Sequence, residues 1–564
     1  MKSLRLQVVG RVKPDGVMDR INGRKETIIY LSLIIGVLLV IGFFYAPLAK
    51  NWFLSDDTQW IWSSATHHFK EMFFSPERYR SMASNFTPML GASFRIDWML
   101  FKMNPTGYSI HSLLSLAAAA AALYFFLRLY TQRNPALFGV LLFLLSPITL
   151  SVTSWFSTRH YIEGLFWALL GLTLFVRGEE RNKLSAASGI CYVLASLNKE
   201  VYVVLPAVAV LLSTGPVLKR LKYTLPFWSG LAIYAVWRLW IMGGIGGYPS
   251  NQPLSSDIIL PLLYRIIRSC SSHLFGDYSI LFYLFLFLIL VLSFKRIEMF
   301  FIFLVLMAPI LPVANILNGD HYTGRYFFHM TVFLICAACV LLGHLGAGRG
   351  RIFGAGLFFV CLLVVAAFVR RDFELSKVIR NERIDAQEAA ADFTSSERKY
   401  IRARQPSWFY ESIRKIDRRF MGREIKTRIV PPAEFLDYAA PERLRDMEGS
   451  GMGVPYEEIM ASQKRFKQGP LSVGITVDNY KLTWNFGPDE HTPYTVLRGP
   501  VSGLYYSRSV LGSSGSIMLG EEDQDAPDTV YIKVLYRSKD GEVVVSPEFA
   551  LKIPGSQKIA YNRS

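Results

Sequence analysis

Runs of apolar residues with no charge among them set the terms for this sequence. Ile280 to Leu292 and Thr331 to Leu342 are two examples, and nearly all such runs fall in the first two thirds of the 564 residues. A soluble domain interrupts its core segments with charge every few positions. Uninterrupted runs belong to helices that face lipid or sit inside a membrane bundle. The expected fold is therefore an α-helical polytopic membrane protein of about eleven transmembrane helices. The spans begin near Ile28, Tyr108, Ala136, Tyr161, Leu184, Val201, Thr224, Leu274, Met299, Tyr326 and Ile352. Those near Leu184 and Val201 are short for a bilayer, as broken or tilted helices are.

The 61 Lys and Arg outnumber the 44 Asp and Glu, but the excess lies in short clusters between apolar runs. That pattern marks topology and contact with anionic lipid, and it argues against a nucleic-acid partner. Arg20, Arg24 and Lys25 precede the first span and place the N-terminus in the cytoplasm. Further clusters fall at expected cytoplasmic turns: Arg128 with Arg133, Arg177 to Lys183, Lys219 to Lys222, Lys295 with Arg296, and Arg349 with Arg351. An odd number of spans then puts the C-terminal region outside, which in a bacterium is the periplasmic side of the inner membrane. Arg370 and Arg371, after the last span, count weakly against this orientation. Met1 to Glu26 is polar and basic, and no small-residue cleavage site follows Ile28 to Pro47, so the first span is read as retained. Cys191, Cys336, Cys339 and Cys361 lie in apolar spans, and Cys270 in a shorter mixed segment. The CxxC of Cys336 and Cys339 lacks companion ligands and reads as packing.

The outer side collects the unusual residues. Asn51 to Pro105 is long for a connection between spans, and it opens with Asp56 and Asp57 side by side. Adjacent carboxylates repel, which raises at least one proton affinity and suits a general base or a metal ligand. Capping of a helix at Thr58 to Ser64 accounts for the same pair. Three outer turns carry cations: Trp155 to His160 with Arg159 and His160, Asn198 to Glu200 with Lys199, and His321 to Tyr326 with Arg325. Their shared side is the pattern of a polyanion site. Snorkelling, or a local pair such as Lys199 with Glu200, is the alternative for each taken singly. Arg238, and Arg265 with Arg268, read as structural.

Four segments carry a resemblance to a known family. FLSDDTQWIW at Phe53 to Trp62 and NFTPMLGASFRIDWMLFKMNPTGYSIHSLL at Asn85 to Leu114 come first; LLSPITLSVTSWFSTRHYIEGLFWAL and LASLNKEVYVVLPA follow in the same order and on the same side. Together they resemble the GT-C glycosyltransferases, in the branch of the protein O-mannosyltransferases and their tetratricopeptide-bearing relatives. The resemblance covers about Asn51 to Leu212. It implies transfer of a sugar from a polyprenyl-phosphate donor to an acceptor hydroxyl on a sugar, lipid or protein at the outer face. It further implies a first-loop acid as base or metal partner, here Asp56 or Asp57, with a divalent ion such as Mg or Mn where one is used. Arg159, Lys199 and Arg325 then take the donor phosphate, and His160, Glu200 and Tyr326 serve the acceptor or support the site. Two departures stand out: Thr87-Pro88-Met89 replaces the Arg-Pro-Leu usual in the loop, and no tetratricopeptide repeats follow the last span.

Residues 1–371 thus form the expected transmembrane domain, with 51–105 as its large outer loop, 372–469 a charged helical linker and 470–564 a small β-sandwich of fibronectin type III or immunoglobulin size. Phe409, Ile413, Ile416 and Phe420 make one apolar helical stripe, for the membrane surface or for the linker's own core. Beyond Pro470 the period becomes two: Tyr480, Leu482, Trp484 and Phe486 alternate, as do Val530, Ile532, Val534 and Tyr536, with a turn at Asp540-Gly541. Trp484 suits either a sugar-binding surface or a core. A non-enzymatic transporter or scaffold of an envelope-polysaccharide system is the competing class; it calls for mid-membrane polar residues and paired halves.

Overall fold

The computed structural model describes residues 18–81, 86–243, 256–292, 297–311, 321–345, 351–394, 400–402, 407–423, 425, 428–430, 467–468, 472–478, 481–487, 494–499, 507–511, 513–518, 529–537 and 543–552. Lys295, Arg296, Arg349 and the Asp540-Gly541 turn lie outside them. Among the described residues seven helices are long and apolar enough to cross a membrane: Glu26–Lys50, Pro105–Leu127, Phe156–Glu180, Val217–Met242, Pro261–Val291, Thr323–Gly343 and Gly354–Ala391. Arg133–Leu144 and Pro147–Ser154, bent by 55°, make an eighth if they are one span. Pro147 opens the second half, where its missing N–H and its ring end the ladder of the first. Three shorter apolar helices, Ala186–Asn198, Glu200–Leu212 and Phe301–Leu311, occupy the remaining expected positions. Along the first span Ile28, Leu31, Ile35, Leu38, Leu39 and Phe43 are exposed, as side chains meant for lipid must be.

One span differs from expectation. It begins at Pro261 rather than near Leu274, because Arg265 and Arg268 interrupt the apolar run without interrupting the helix. Leu262, Ile266, Cys270 and Leu274 fall four apart and are buried, while both arginines are exposed on the other side.

The chain divides into two compact units. The first holds Met1–Phe53, Ser64–Pro76 and Ser84–Arg383. Within it, Ala186–Asn198 is 13 residues long, about 20 Å of helix against about 30 Å of hydrocarbon. Tyr192 Oη donates to the carbonyl of Val203 at 3.2 Å, although 11 positions separate them. A straight helix would hold those residues about 16 Å apart, so the chain doubles back at Lys199, whose backbone is extended. Gly164 lets this hairpin close on the helix Arg159–Glu180: a Cβ there would stand 2.3 Å from the Tyr202 ring and 3.2 Å from Asn198 Cβ.

The second unit holds Leu54–Ser63, Glu77–Ala83 and Ile384–Ser564. The helix Arg351–Thr394 runs unbroken through position 372, so the change to charged composition there coincides with no break in secondary structure. In the helix Ser407–Ile416 the side chains of Phe409, Tyr410, Ile413 and Ile416 are buried, and Tyr410 meets Phe393 edge-on at 5.1 Å. Phe409, Ile413 and Ile416 of the expected stripe thus belong to the core of their own unit, while Phe420, in the turn that follows, stays exposed. Towards the C-terminus, Ser472–Asp478, Lys481–Gly487 and Ser514–Met518 form an antiparallel three-stranded sheet. A second sheet is built around Thr529–Arg537, which pairs antiparallel with Tyr494–Gly499, Val543–Val545 and Phe549–Lys552. Phe486 of the first sheet shares one core with Tyr494, Val496, Ile532, Val534 and Val544 of the second, and Trp484 packs against it. This is a small β-sandwich, and Trp484 serves its core.

Candidate active site

Three consecutive features of the first unit bring its cations together. Pro147–Ser154 ends in extended backbone at Trp155; a 3-10 turn over Phe156–Thr158 follows, closed by Thr158 Oγ1 donating to the Val152 and Trp155 carbonyls, both at 2.7 Å. The next helix therefore starts at Arg159 and His160. The Asn198–Glu200 hairpin, seated by Gly164, brings Lys199 Nζ to 5.4 Å from the Tyr161 ring. A 3-10 segment, His321–Phe327, sets the Arg325 guanidinium 5.1 Å from the Trp155 ring and 4.8 Å from that of Tyr326, whose Oη accepts from Arg325 Nη2 at 3.3 Å. Aromatic faces hold a cation without neutralising it. His160 lies within electrostatic reach of Lys199, Arg325 and Arg159. It is 7% exposed and lies beside the Ser157 backbone. Lys199, also 7% exposed, forms no ion pair among the described residues. Lys199, buried with no ion pair among the described residues, supplies positive charge suited to an anion, and half-buried Arg325 faces the same His160 ring.

Three acids of the same unit are engaged with other groups. Glu200 does not pair with Lys199: its Oε1 accepts from the Phe86 backbone N–H at 3.1 Å and is bridged by Arg238, which fits a supporting role. Arg159 is the most enclosed of the three cations, with no exposed surface. Its Nη2 stands 2.6 Å from Asp97 Oδ2 and its Nε 3.1 Å from Glu163 Oε1. His111 Nδ1 meets Asp97 Oδ1 at 2.6 Å, and Ser93 Oγ donates to Glu163 at 2.8 Å. The structure thus groups Lys199, Arg325, His160 and Tyr326, while Arg159 is held by two carboxylates and anchors the start of its helix. Asp97→Asn should consequently lower thermal stability by roughly 3 kcal/mol, the scale of removing one partner from a buried pair, and leave anion binding intact. Unchanged unfolding with weakened anion binding would instead make Arg159 a ligand.

The first-loop carboxylates belong to the second unit. Asp57 is fully buried; its Oδ2 accepts from the Leu54 N–H at 2.9 Å while its own N–H donates back to the Leu54 carbonyl at 2.8 Å. This reciprocal pair starts the helix Asp57–Thr66, as the capping reading expects. Between them Ser55 is held at φ 44°, a conformation uncommon for a residue with a Cβ. Asp56 is half-buried, and its backbone carbonyl accepts from Trp60 N–H. The pair is therefore divided in role: Asp57 builds the turn and Asp56 is presented by it. Among the described residues no three His, Cys, Asp or Glu side chains converge as a metal centre.

No protein-family model matches this chain, and no curated protein matches it. Among solved structures, ArnT from Cupriavidus metallidurans in the apo state is similar at a TM-score of 0.42 and 12% identity, over 81% of this chain and 94% of that one. The same protein bound to undecaprenyl phosphate is similar at a TM-score of 0.38 and 12% identity, over 81% of this chain and 99% of that one. Neither likeness assigns a role to a residue here.

Asp97, Glu163 and His111 did not stand out in the sequence. The spacing of Arg159 and Glu163 by four on one helix is a local signal for that pair, but Asp97 and His111 reach it only through tertiary packing. Arg78, 1% exposed in the second unit with its guanidinium 5.8 Å from the Tyr79 ring, is a further buried cation of the 51–105 segment. Burial pushes the Tyr79 phenol up to about 12, with the Arg78 charge opposing.

Proposed function

We propose that this protein is a membrane glycosyltransferase of the GT-C type, in the O-mannosyltransferase-like branch. It moves a sugar from a polyprenyl-phosphate donor to an acceptor hydroxyl at the outer face of a bacterial inner membrane. The observation that carries the reading is the cluster of Lys199, His160 and Arg325, cationic or protonatable groups on aromatic walls, with no carboxylate among the described residues committed to Lys199. A phosphodiester-linked sugar brings negative charge to such a site and develops more on its oxygens as the anomeric C–O bond breaks. Lys199 supplies a point charge and Arg325 a planar two-point donor, and both act more strongly on the leaving phosphate than on the bound donor. Asp56 takes the acceptor's O–H proton as the new C–O bond forms, and Asp57 holds the turn that presents it. A Mg or Mn ion, where one is used, would be held by Asp56 in place of its service as base, as Mg commonly rests on one or two carboxylates.

The test is to give the purified protein, in proteoliposomes, a polyprenyl-phosphate donor carrying a radiolabelled sugar, together with an envelope extract as acceptor source. The expected outcome is label on a new acceptor with free polyprenyl phosphate left behind. Label that crosses the bilayer still attached to its lipid would mark a transporter instead.

A further inference from the structure

We infer that the turn Arg418–Met421, together with Trp62, docks on anionic phospholipid headgroups at the membrane surface. Positions 411–428 carry seven Lys and Arg against three Asp and Glu. Of those acids Asp417 is buried and already accepts from Arg423 at 3.1 Å. The apolar stripe of the preceding helix is used up in its own core, yet the chain goes on through a π-turn, Asp417–Met421, that leaves Arg418, Arg419, Phe420 and Met421 exposed together. Gly422, at φ 64°, ends the turn in the left-handed conformation glycine favours. Phe420 and Met421 are 40% and 41% exposed. Trp62 joins them: its ring stands 6.4 Å from that of Phe420, with Lys415 Nζ at 5.9 Å and the Arg419 guanidinium at 5.8 Å.

Arginine beside exposed Phe and Met and a half-buried Trp is the composition that bilayer interfaces select, where the rings enter the headgroup layer and the cations meet phosphate. A soluble acidic glycan could answer the charge but would leave the apolar side chains in water. Trp62 follows Lys50, the end of the first apolar span, by twelve positions in the sequence. The same helix pair also carries the outer loop, since Thr58 Oγ1 donates to the Phe409 carbonyl at 3.2 Å. Lipid contact at this turn would steady the segment that begins with Asp56 and Asp57. The inference does not depend on the chain being a glycosyltransferase.

The five native cysteines are all buried, so a thiol introduced by Phe420→Cys in the full-length protein can be labelled selectively with an environment-sensitive fluorophore. Nanodiscs of neutral lipid would be compared with discs doped with phosphatidylglycerol, using brominated acyl chains as quencher in each. The expected result is quenching about twofold stronger in the anionic discs, lost at high salt and in an Arg418→Gln, Arg419→Gln background. Met421→Cys provides a second label site should the first disturb folding. Equal emission with and without bromine at both sites, or quenching indifferent to headgroup charge, would overturn the inference.

Discussion

Asp56→Asn is expected to lower sugar transfer about a hundredfold or more while expression, detergent behaviour and donor binding stay as they were. The substitution keeps the shape and hydrogen-bonding capacity of the side chain and removes its ability to take a proton. Asp57→Asn should be milder, because an amide oxygen still accepts from Leu54 and keeps the turn at Ser55. Asp57→Ala, which removes the acceptor, should lower thermal stability along with activity, as loss of a helix-starting acceptor costs roughly 1 kcal/mol. Steady-state transfer assays beside thermal unfolding separate these cases. Normal transfer by Asp56→Asn would remove the outer-loop carboxylate from the chemistry.

Lys199→Ala and Arg325→Ala should each weaken donor binding and depress turnover further, at unchanged stability. Lys199 stands on the ring face of Tyr161, and Arg325 on the rings of Trp155 and Tyr326. A cation that meets charge growing in the transition state contributes more to turnover than to affinity, so a tenfold or larger loss in transfer, about 1.4 kcal/mol, is the expected order. Arg325→Lys should retain part of the function and lose the two-point grip. Arg159→Ala, by contrast, should fail through stability, since it would strand Asp97 and Glu163 inside the protein. If both Lys199→Ala and Arg325→Ala bind and turn over donor normally, the cation cluster is not the phosphate site.

Much of the fold is legible in the sequence because uncharged runs admit few structures. Each expected span has a helical segment at or near its place, and the alternation around Trp484 and Ile532 becomes strands of one sandwich. The span at Pro261 was obscured because Arg265 and Arg268 lower its apolarity, while its buried face follows a four-residue period that mean composition does not register. The doubling back at Lys199 was legible as a turn, but what seats it is the missing Cβ of Gly164, visible only when two helices are brought together. Within the site, the grouping of Lys199, Arg325 and His160 agrees with the common side that the charge pattern led one to expect for them. The commitment of Arg159 to Asp97 does not, because 62 positions separate the partners and each by itself resembles a charged residue at a helix end. The adjacent aspartates show the same limit: identical residues, one turned inward to Leu54 and one left half-exposed by a backbone turn that no spacing rule anticipates.

The most direct measurement is mass spectrometry of the lipid that copurifies with the protein, in parallel preparations of the wild type and of the Lys199→Ala, Arg325→Ala double variant. The expected result is polyprenyl phosphate, or its sugar ester, enriched over bulk membrane lipid in the wild type and depleted in the variant, with ordinary phospholipids the same in both. Ordinary phospholipids alone in the wild type, with no polyprenyl species and no difference between the two preparations, would contradict a polyprenyl-phosphate donor.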